Sequence, residues 1–188
     1  VENGDQIWKT YTIPGPGEPG HETWKDDYDA YKLGGGTTWV TGSYDPQLNI
    51  IVWGTANPGP DWDNASRPGD NLWTDSTIAL DADSGRFLWG FQHTPNDPYD
   101  YDSIAENTFV DGSINGQYVR STIHANRNGY VYALDRTTGE PIWCTQFVKK
   151  LTWTAGLDEN CRPVDYNPNV DVQTEYTKLV RLLYDLRH

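Results

Sequence analysis

The stretch Ala79–Trp89 reads ALDADSGRFLW, and the stretch Ala133–Trp143 reads ALDRTTGEPIW. Both follow the pattern A-L-D-x-x-[ST]-G-x-x-x-W. The chain opens on the second half of the same unit, because Gly4 precedes Trp8 by four residues. Trp8 and the two tryptophans that end the full copies therefore occupy one repeated position, and we interpret the pattern as an internal repeat.

Each copy is typical of a β-hairpin. The apolar residues before the aspartate form a strand, and the Asp, the Ser or Thr, and the Gly form a turn in which Gly is free to adopt a positive φ. A small alanine and a large tryptophan at fixed offsets suit sheets that stack around an axis. The repeat therefore predicts β-propeller blades, with Trp89 and Trp143 packed between neighbouring blades. Two unrelated hairpins are the alternative, but the matching Ala and Trp at both ends argue against coincidence.

The composition agrees with an all-β chain. Its 188 residues include 9 Trp, 12 Tyr, 4 Phe, 18 Gly and 12 Pro, which suit short strands and tight turns rather than a helical bundle. Lys plus Arg number 14 and Asp plus Glu number 27, so the net charge is −13. This charge disfavours nucleic acid and anionic membrane surfaces as partners. The longest continuous apolar run is Ile50–Trp53, so we predict no membrane span.

Apolar alternation between turn residues predicts seven strands. They cover residues 37–44, 49–54, 76–81, 86–92, 119–125, 129–135 and 141–148. Two long polar loops, residues 56–71 and 93–106, interrupt them. A long loop inside a compact repeat usually carries function, so we expect the functional site in these loops.

The ends of the chain differ from the repeat. The chain begins on Val1, contains no Met and has nothing like a signal peptide, so we expect a segment of a larger protein, and the missing signal says nothing about secretion. Residues 178–188 form a tail of unclear origin, in which leucines at helical spacing predict a short amphipathic helix. An interface helix and a segment foreign to the domain both stay open. Cys144 and Cys161 are 17 residues apart, a spacing that allows a disulfide or two half-buried thiols.

Acidic residues in the second loop are candidates for a metal site. Asp100 and Asp102 are two residues apart, so on an extended segment both side chains would point the same way. Two carboxylates on one side suit a hard cation, although a shared proton or a solvated acidic loop would also explain them. Asn57 precedes a Pro-Gly-Pro stretch and could supply a carbonyl ligand, or it could form an ordinary Asx turn.

The glycine run Gly34–Gly36 and the side chains of Trp39 and Arg127 are candidates for a ligand site. The run lacks the spacing and the lysine of a phosphate-binding loop. Glycines also let a flat ligand approach the backbone, and Trp39 could be its stacking floor or an ordinary core residue. Arg127 could bind a carboxylate or carbonyl in bidentate fashion, or it could be an exposed turn residue.

Five motifs follow one another along the chain. They are GTTW at 36–39, GTANP at 54–58, RPGDN at 67–71, TPNDPYD at 94–100 and RNG at 127–129. Together with the tryptophan repeat, their order resembles the quinoprotein alcohol dehydrogenases, which are the methanol and ethanol dehydrogenases that use pyrroloquinoline quinone (PQQ). The resemblance covers about residues 1–177 and implies that they are a partial quinoprotein β-propeller, a middle portion of the family's eight-bladed propeller.

The resemblance implies roles for individual residues. Thr37 matches a threonine that hydrogen-bonds the quinone, Trp39 matches the tryptophan that stacks on one face of it, and Arg127 matches the arginine that binds the quinone oxygens. Asn57 matches the amide ligand of the metal, and Asp100 matches the aspartate taken as catalytic base.

Asp102 bears on the identity of the metal. Family members that use a lanthanide carry an extra aspartate two positions after the catalytic one, where calcium-using members usually carry a small or uncharged residue. A trivalent ion needs more negative charge around it. The resemblance therefore implies that Asn57, Asp100 and Asp102 are ligands of a lanthanide ion, with calcium as the alternative.

The implied activity is oxidation of a primary or secondary alcohol to the aldehyde or ketone by metal-bound PQQ, with the electrons passed to a cytochrome c in the periplasm. The acidic composition suits a basic cytochrome, and other chains could complete the propeller. Tyr99 stands where many family members have tryptophan, so we expect a substrate pocket different from that of a methanol enzyme. A non-catalytic propeller of the outer-membrane assembly scaffold type is the alternative, and it would not need these site residues together.

Overall fold

The computed structural model of the chain describes residues 3–114 and 116–166. The helical elements of this part are the 3₁₀ turns His21–Thr23, Ala30–Lys32 and Asn64–Ser66. The strands are β1 (Ser43–Asp45), β2 (Ile50–Gly54), β3 (Ser76–Asp81), β4 (Phe87–Gln92), β5 (Thr108–Ile114), β6 (Gln117–Ala125), β7 (Tyr130–Asp135), β8 (Pro141–Gln146), β9 (Gly156–Leu157) and β10 (Pro163–Val164). The all-β prediction is therefore confirmed, whereas the helix predicted at 178–188 lies outside the described residues.

The strands form two four-stranded antiparallel sheets in sequence order. Strands β1 to β4 make the first blade and β5 to β8 make the second blade, while β9 and β10 pair with each other. A four-stranded meander is the unit of a β-propeller. The blades predicted from the repeat are thus present, and each full copy of the repeat forms the outer hairpin of one blade.

The two copies of the repeat fold into the same turn. Gly85 N donates to Asp81 O at 2.8 Å, and Gly139 N donates to Asp135 O at 2.7 Å. Both glycines have positive φ, 70° and 79°. The pairing of β3 with β4 shifts register after Ala79, and that of β7 with β8 shifts at the equivalent alanine. The repeat therefore encodes a turn of defined geometry as well as an apolar pattern.

The turn glycines are the surfaces on which the repeated tryptophans pack. Trp89 Nε1 donates to Arg136 O at 3.1 Å, and a Cβ atom on Gly139 would lie 2.6 Å from its indole ring. Trp8 makes the equivalent contact one blade earlier, since it donates to Ala82 O at 3.0 Å and packs on Gly85. Each tryptophan thus docks on the turn of the next blade, and the contact requires glycine because a side chain would occupy the position of the ring.

Trp143 departs from the prediction. Its side chain is 37% exposed, whereas that of Trp89 is 8% exposed. The expectation that Trp143 packs between blades is therefore wrong for the described part of the chain. The physical reason is that β8 is followed there by the short β9–β10 pair and not by a third four-stranded sheet that could offer a turn glycine.

Apolar side chains and a few specific links join the two blades. Val52 and Phe91 of the first blade belong to the same buried cluster as Tyr132 and Leu134 of the second. Arg136 Nε, in the turn of the second blade, forms a 2.6 Å ion pair with Asp45 of β1, and both side chains are 4% exposed.

A disulfide closes the end of the described fold. Cys144 of β8 is bonded to Cys161, and the two Cα atoms are 5.8 Å apart. This bond ties the β9–β10 pair to the outer strand of the second blade. It also decides the question that the spacing of the cysteines left open.

The strand predictions fail at three places, one of which is the pair of two-residue strands β9 and β10, which was not predicted. The strand predicted at 37–44 is reduced to Ser43–Asp45, because the backbone of residues 34–37 pairs with the loop after β2, as described below. Strand β5 was not predicted, since Thr108–Ile114 carries Asp111 and Gly112 and lies at the edge of its sheet with mostly exposed side chains. Without one buried face, a strand has no apolar alternation to reveal it.

Candidate functional site

The glycine run lies directly against the loop that follows β2. Gly36 N donates to Asn57 O at 2.8 Å, and Gly59 N donates to Gly34 O at 3.2 Å. A Cβ atom on Gly35, which has a φ of 94°, would lie 2.7 Å from Asn57 O. The close approach that needs these glycines is therefore between two backbone segments, and it holds the main chain at Asn57 in place.

Thr37 and Trp39 follow this pairing and are both exposed. Ala56 N donates to Thr37 O at 2.9 Å, which places Thr37 beside the residue that precedes Asn57. Trp39 is 63% exposed, so it is not a core tryptophan. Both residues line a surface cavity together with Tyr11 and Thr12. The indole ring is thus accessible to a flat ligand, and among the described residues no aromatic ring stacks on it.

The loop that carries the acidic residues winds around a buried carboxylate. Asp97 accepts hydrogen bonds from Tyr99 N at 2.7 Å and from Tyr101 N at 2.6 Å. Between and after these bonds the backbone turns into the left-handed region, with φ of 61° at Asp100 and 49° at Asp102. The prediction of an extended segment is therefore wrong, because the bonds to Asp97 curl the chain.

Asp102 links three parts of the chain. It is 8% exposed, and its Oδ1 accepts a 3.1 Å hydrogen bond from Asn57 N. Its Oδ2 accepts a 3.1 Å hydrogen bond from Arg127 Nη1, in a partly exposed ion pair. The structure thus brings Asn57, Asp102 and Arg127 together from separate loops.

Asp100 lies within the electrostatic reach of the same group. Partial burial raises the pKa of its carboxyl, the neighbouring Asp102 raises it further, and Arg127 opposes the shift. The charge of Asp61 also raises the pKa of Asp100, although the sequence analysis did not single out Asp61. A carboxylate with a raised pKa is a better proton acceptor, as a general base requires.

The side chain of Asn57 is held by its amide nitrogen. Asn57 Nδ2 donates to Asp61 Oδ1 at 2.9 Å and to Pro58 O at 3.2 Å. Within the described chain no donor bonds to Asn57 Oδ1, and Gly59 N bonds to Gly34 instead. An Asx turn is thereby excluded, and the carbonyl oxygen of the amide is available to a ligand.

Arg127 occupies a turn whose neighbours are buried. Asn126 Nδ2 donates to Ser103 Oγ at 2.6 Å, and its Oδ1 accepts from Asn128 N at 2.9 Å. Asn128 Nδ2 in turn bonds to Tyr132 Oη at 2.9 Å. The alternation of buried Asn and exposed Arg directs the guanidinium out of this network towards Asp102.

Arg67 lies in the RPGDN motif, whose pattern predicted no role for it, and it joins the loop of residues 56–71 to the loop of residues 93–106. Its side chain is fully buried and donates from Nε to Pro60 O at 2.9 Å and from Nη2 to Asp61 O at 2.7 Å. Nη2 also donates to Asp97 O at 2.6 Å. Burial lowers the pKa of Arg67 to about 10, so it is still charged at neutral pH. The only sequence signal for it was an arginine inside a Pro- and Gly-containing loop.

Two buried carboxyl groups surround this arginine. Burial raises the pKa of Asp97 to about 6, while the N–H groups of Tyr101 and Tyr99 and the charge of Arg67 lower it in part. Burial and the Asp97 carboxylate raise the pKa of Asp75 well above its usual value. Burial therefore disfavours the charged form of Asp75, whereas the N–H groups of Tyr101 and Tyr99 favour the charged form of Asp97, the carboxylate that holds the acidic loop.

The donor set suits part of a metal site. Asn57, Asp100 and Asp102 offer an amide oxygen and carboxylate oxygens, which are the ligands that hard cations prefer. Over the described ranges no group of three His, Cys, Asp or Glu side chains is close enough to hold a metal ion alone. The described residues therefore fit a hard cation only if further ligands come from a cofactor or from other parts of the protein.

Comparisons with known proteins identify the family to which the chain is similar. The family model for the PQQ glucose/ethanol/alcohol dehydrogenase β-propeller domain matches residues 1–149. The chain is 40% identical over 183 residues to quinoprotein alcohol dehydrogenase PedH of Pseudomonas putida, covering 88% of this chain and 30% of that protein. It is 41% identical over 183 residues to a lanthanide-dependent methanol dehydrogenase of Methylacidiphilum fumariolicum, with the same coverage of 88% and 30%.

A solved structure of a europium-containing methanol dehydrogenase is also similar. Its TM-score is 0.74 at 39% identity, and the match covers 87% of this chain and 28% of that chain. The chain thus spans about a third of the length of the relatives it matches. The described part contains no helix that is long and apolar enough to cross a membrane.

Proposed function

This chain belongs to the PQQ glucose/ethanol/alcohol dehydrogenase β-propeller family, and on that premise we propose that it supplies part of the catalytic centre of an enzyme that oxidises a primary or secondary alcohol to the aldehyde or ketone. The observation that carries the proposal is the position of Asp102, which bonds both Asn57 N and Arg127 Nη1. These contacts join the predicted metal residues to a predicted quinone residue.

Three residues are proposed to bind the cofactor. Trp39 offers an exposed indole face on which a flat quinone could stack. Thr37 lies two residues away on the same cavity and offers a hydroxyl group. Arg127 uses one of its five N–H groups on Asp102, which leaves others for quinone oxygens. When bound, PQQ with its metal ion supplies the two-electron oxidant.

Asp100 is proposed to be the catalytic base. Its partly buried carboxylate accepts the hydroxyl proton of the alcohol, and its raised pKa favours that transfer. Asp97 keeps the loop in shape through its bonds to Tyr99 N and Tyr101 N. The base therefore acts from a rigid turn and not from a mobile surface loop.

Asn57 Oδ1, Asp100 and Asp102 are proposed as metal ligands. The second carboxylate adds the negative charge that a trivalent ion needs, so we favour a lanthanide over calcium. The similarity to the lanthanide-dependent and europium-containing methanol dehydrogenases supports this choice. The alternative function, a non-catalytic scaffold, is not favoured, because it gives no reason for these contacts.

A cytochrome c is the proposed electron acceptor, and the net charge of −13 suits a basic partner. The bond between Cys144 and Cys161 supports a periplasmic location, since disulfides persist in oxidising compartments. The remaining blades would come from the rest of a longer polypeptide or from another chain.

Dye-linked oxidation of alcohols by the full-length protein, loaded with PQQ and either La³⁺ or Ca²⁺, tests the proposal. We expect turnover of primary or secondary alcohols, faster with La³⁺. Arg127→Met should weaken PQQ retention, measured by quinone absorbance after desalting, whereas Arg120→Met should not. If the parent oxidises no alcohol with either metal, the proposal is wrong and the scaffold function becomes the better one.

A further inference from the structure

Asp61 holds the amide of Asn57 in one orientation. Asn57 Nδ2 faces two oxygen atoms, Asp61 Oδ1 at 2.9 Å and Pro58 O at 3.2 Å. A flipped amide would place its oxygen against both of these acceptors, so only the observed orientation is stable. In that orientation Oδ1 faces away from Asp61, and within the described ranges no donor bonds to it.

The main chain at Asp61 is anchored although its side chain is exposed. Arg67 donates to Asp61 O at 2.7 Å and to Pro60 O at 2.9 Å, and Arg67 is itself fully buried. Because its backbone is held by Arg67, the Asp61 carboxylate restrains the amide of Asn57 more strongly than a carboxylate on a free loop would. Asp61 therefore differs from an ordinary surface aspartate.

We propose that Asp61 is a positioning residue for the metal site: its carboxylate holds the amide of Asn57 so that Oδ1 is presented to the cation. This inference rests on the proposed function. Asp61 is not proposed as a ligand, because within the described ranges it forms no group of three carboxylates with Asp100 and Asp102 that could hold a metal ion. Partners of metal ligands that fix their orientation typically change metal affinity by about 10–100-fold.

The charge of Asp61 is a second route by which it could affect the site, since it raises the pKa of Asp100. The chain offers a control that separates charge from hydrogen bonding. Asp63 is two residues away, is exposed and carries the same charge, and its carboxylate has no hydrogen bond among the described residues. Asp61→Asn provides the opposite control, because it removes the charge and keeps an oxygen acceptor for Asn57.

The test is a titration of the full-length protein with Tb³⁺, read by its sensitised luminescence. We expect Asp61→Ala to weaken Tb³⁺ binding about tenfold. Asp61→Asn should weaken Tb³⁺ binding by less than about threefold, because the new amide keeps an oxygen acceptor for Asn57 Nδ2. Asp63→Ala should weaken it by less than about twofold, because Asp63 does not accept a hydrogen bond from Asn57. In an Asn57→Ala background, Asp61→Ala should add less than about a twofold loss.

Three results would overturn the inference while leaving the metal site in place. They are unchanged affinity in Asp61→Ala, equal losses in Asp61→Ala and Asp63→Ala, and an undiminished effect of Asp61→Ala in the Asn57→Ala background. Tb³⁺ binding that Asn57→Ala leaves unchanged would instead refute the metal site of the proposed function, and this inference with it. Matching thermal unfolding of the variants shows that the losses are local.

Discussion

Arg67 Nη2 donates a 2.6 Å hydrogen bond to the carbonyl oxygen of Asp97, and this contact joins the two loops that carry the candidate site. The same guanidinium bonds the backbone at Pro60 and Asp61, three to four residues after Asn57. Beside the direct bond from Asn57 N to Asp102, a buried charge that contacts none of the proposed ligands therefore also holds the two loops together.

Replacing Arg67 should destabilise the protein. Arg67→Met removes the donors to three carbonyl groups and leaves the buried Asp97 charge without its cation, which typically costs about 3–5 kcal/mol. The free energy of unfolding in urea measures this loss. Arg86→Met is the matched control, because Arg86 is exposed, and it should change stability by less than about 0.5 kcal/mol. A small effect of Arg67→Met would show that the two loops are held by other contacts.

Replacing Gly139 should disrupt the docking of Trp89. Gly139→Ala puts a methyl group 2.6 Å from the indole ring at a φ of 79°, so steric overlap adds to backbone strain, for a total of about 2–4 kcal/mol. Gly116→Ala has a similar φ of 81° but meets nothing within 4 Å, so it should cost only about 1–2 kcal/mol. The free energies of unfolding of the two variants distinguish backbone strain, which both share, from steric overlap with Trp89, which only Gly139→Ala introduces. Equal losses would mean that the docking contact adds nothing.

Replacing Asp100 and Asp102 one at a time should distinguish the proposed catalytic base from a residue that acts only as a metal ligand. Asp100→Asn should abolish turnover with La³⁺ and with Ca²⁺, because an amide cannot accept the alcohol proton, a role worth about 10²–10⁴-fold. Asp102→Ala should lower activity more with La³⁺ than with Ca²⁺, since a trivalent ion depends more on the second carboxylate. Dye-linked oxidation with each metal is the measurement, and the exposed Asp27→Ala is the control. If Asp102→Ala keeps full activity with La³⁺, calcium becomes the better metal assignment.

The ion pair between Asp45 and Arg136 should make the free energy of unfolding fall at acidic pH. Burial alone would raise the pKa of Asp45, but N–H bonds from Leu48 and Gln47 and the charge of Arg136 hold it below its usual value. A carboxyl with a lowered pKa in the folded state stabilises the fold above its ordinary pKa of 3.8 and loses that contribution as the pH falls through the folded value. Asp45→Asn should therefore cost stability at neutral pH and less at acidic pH, below the folded-state pKa of Asp45.

Chemical unfolding at both pH values checks this dependence. Asp111→Asn is the control, because Asp111 pairs with the same arginine at 2.8 Å but its side chain is 34% exposed, so its effect should be smaller. An equal loss for Asp45→Asn at both pH values would contradict the assignment, since a pH-independent loss does not come from the charge.

The acidic loop shows why a local pattern was insufficient for the site. The spacing of Asp100 and Asp102 predicted an extended segment, but side-chain spacing says nothing about the bonds from Asp97 to Tyr99 N and Tyr101 N that curl the backbone. Asp102 contacts Asn57 across 45 positions and Arg127 across 25 positions. The resemblance to a family pointed to these residues, whereas no pattern in the chain indicated which of them would touch.

The sequence by itself determined the blades, because the turn that closes each outer hairpin depends on residues within five positions, Asp81 to Gly85 and Asp135 to Gly139. Such contacts are local, so a repeat reveals them. Only the tertiary structure decided that Arg67 is buried and that Asp61 orients Asn57. An arginine or aspartate in a polar loop is ordinarily solvated, and it becomes structural only when distant backbone segments or side chains close around it and replace water as its hydrogen-bond partners.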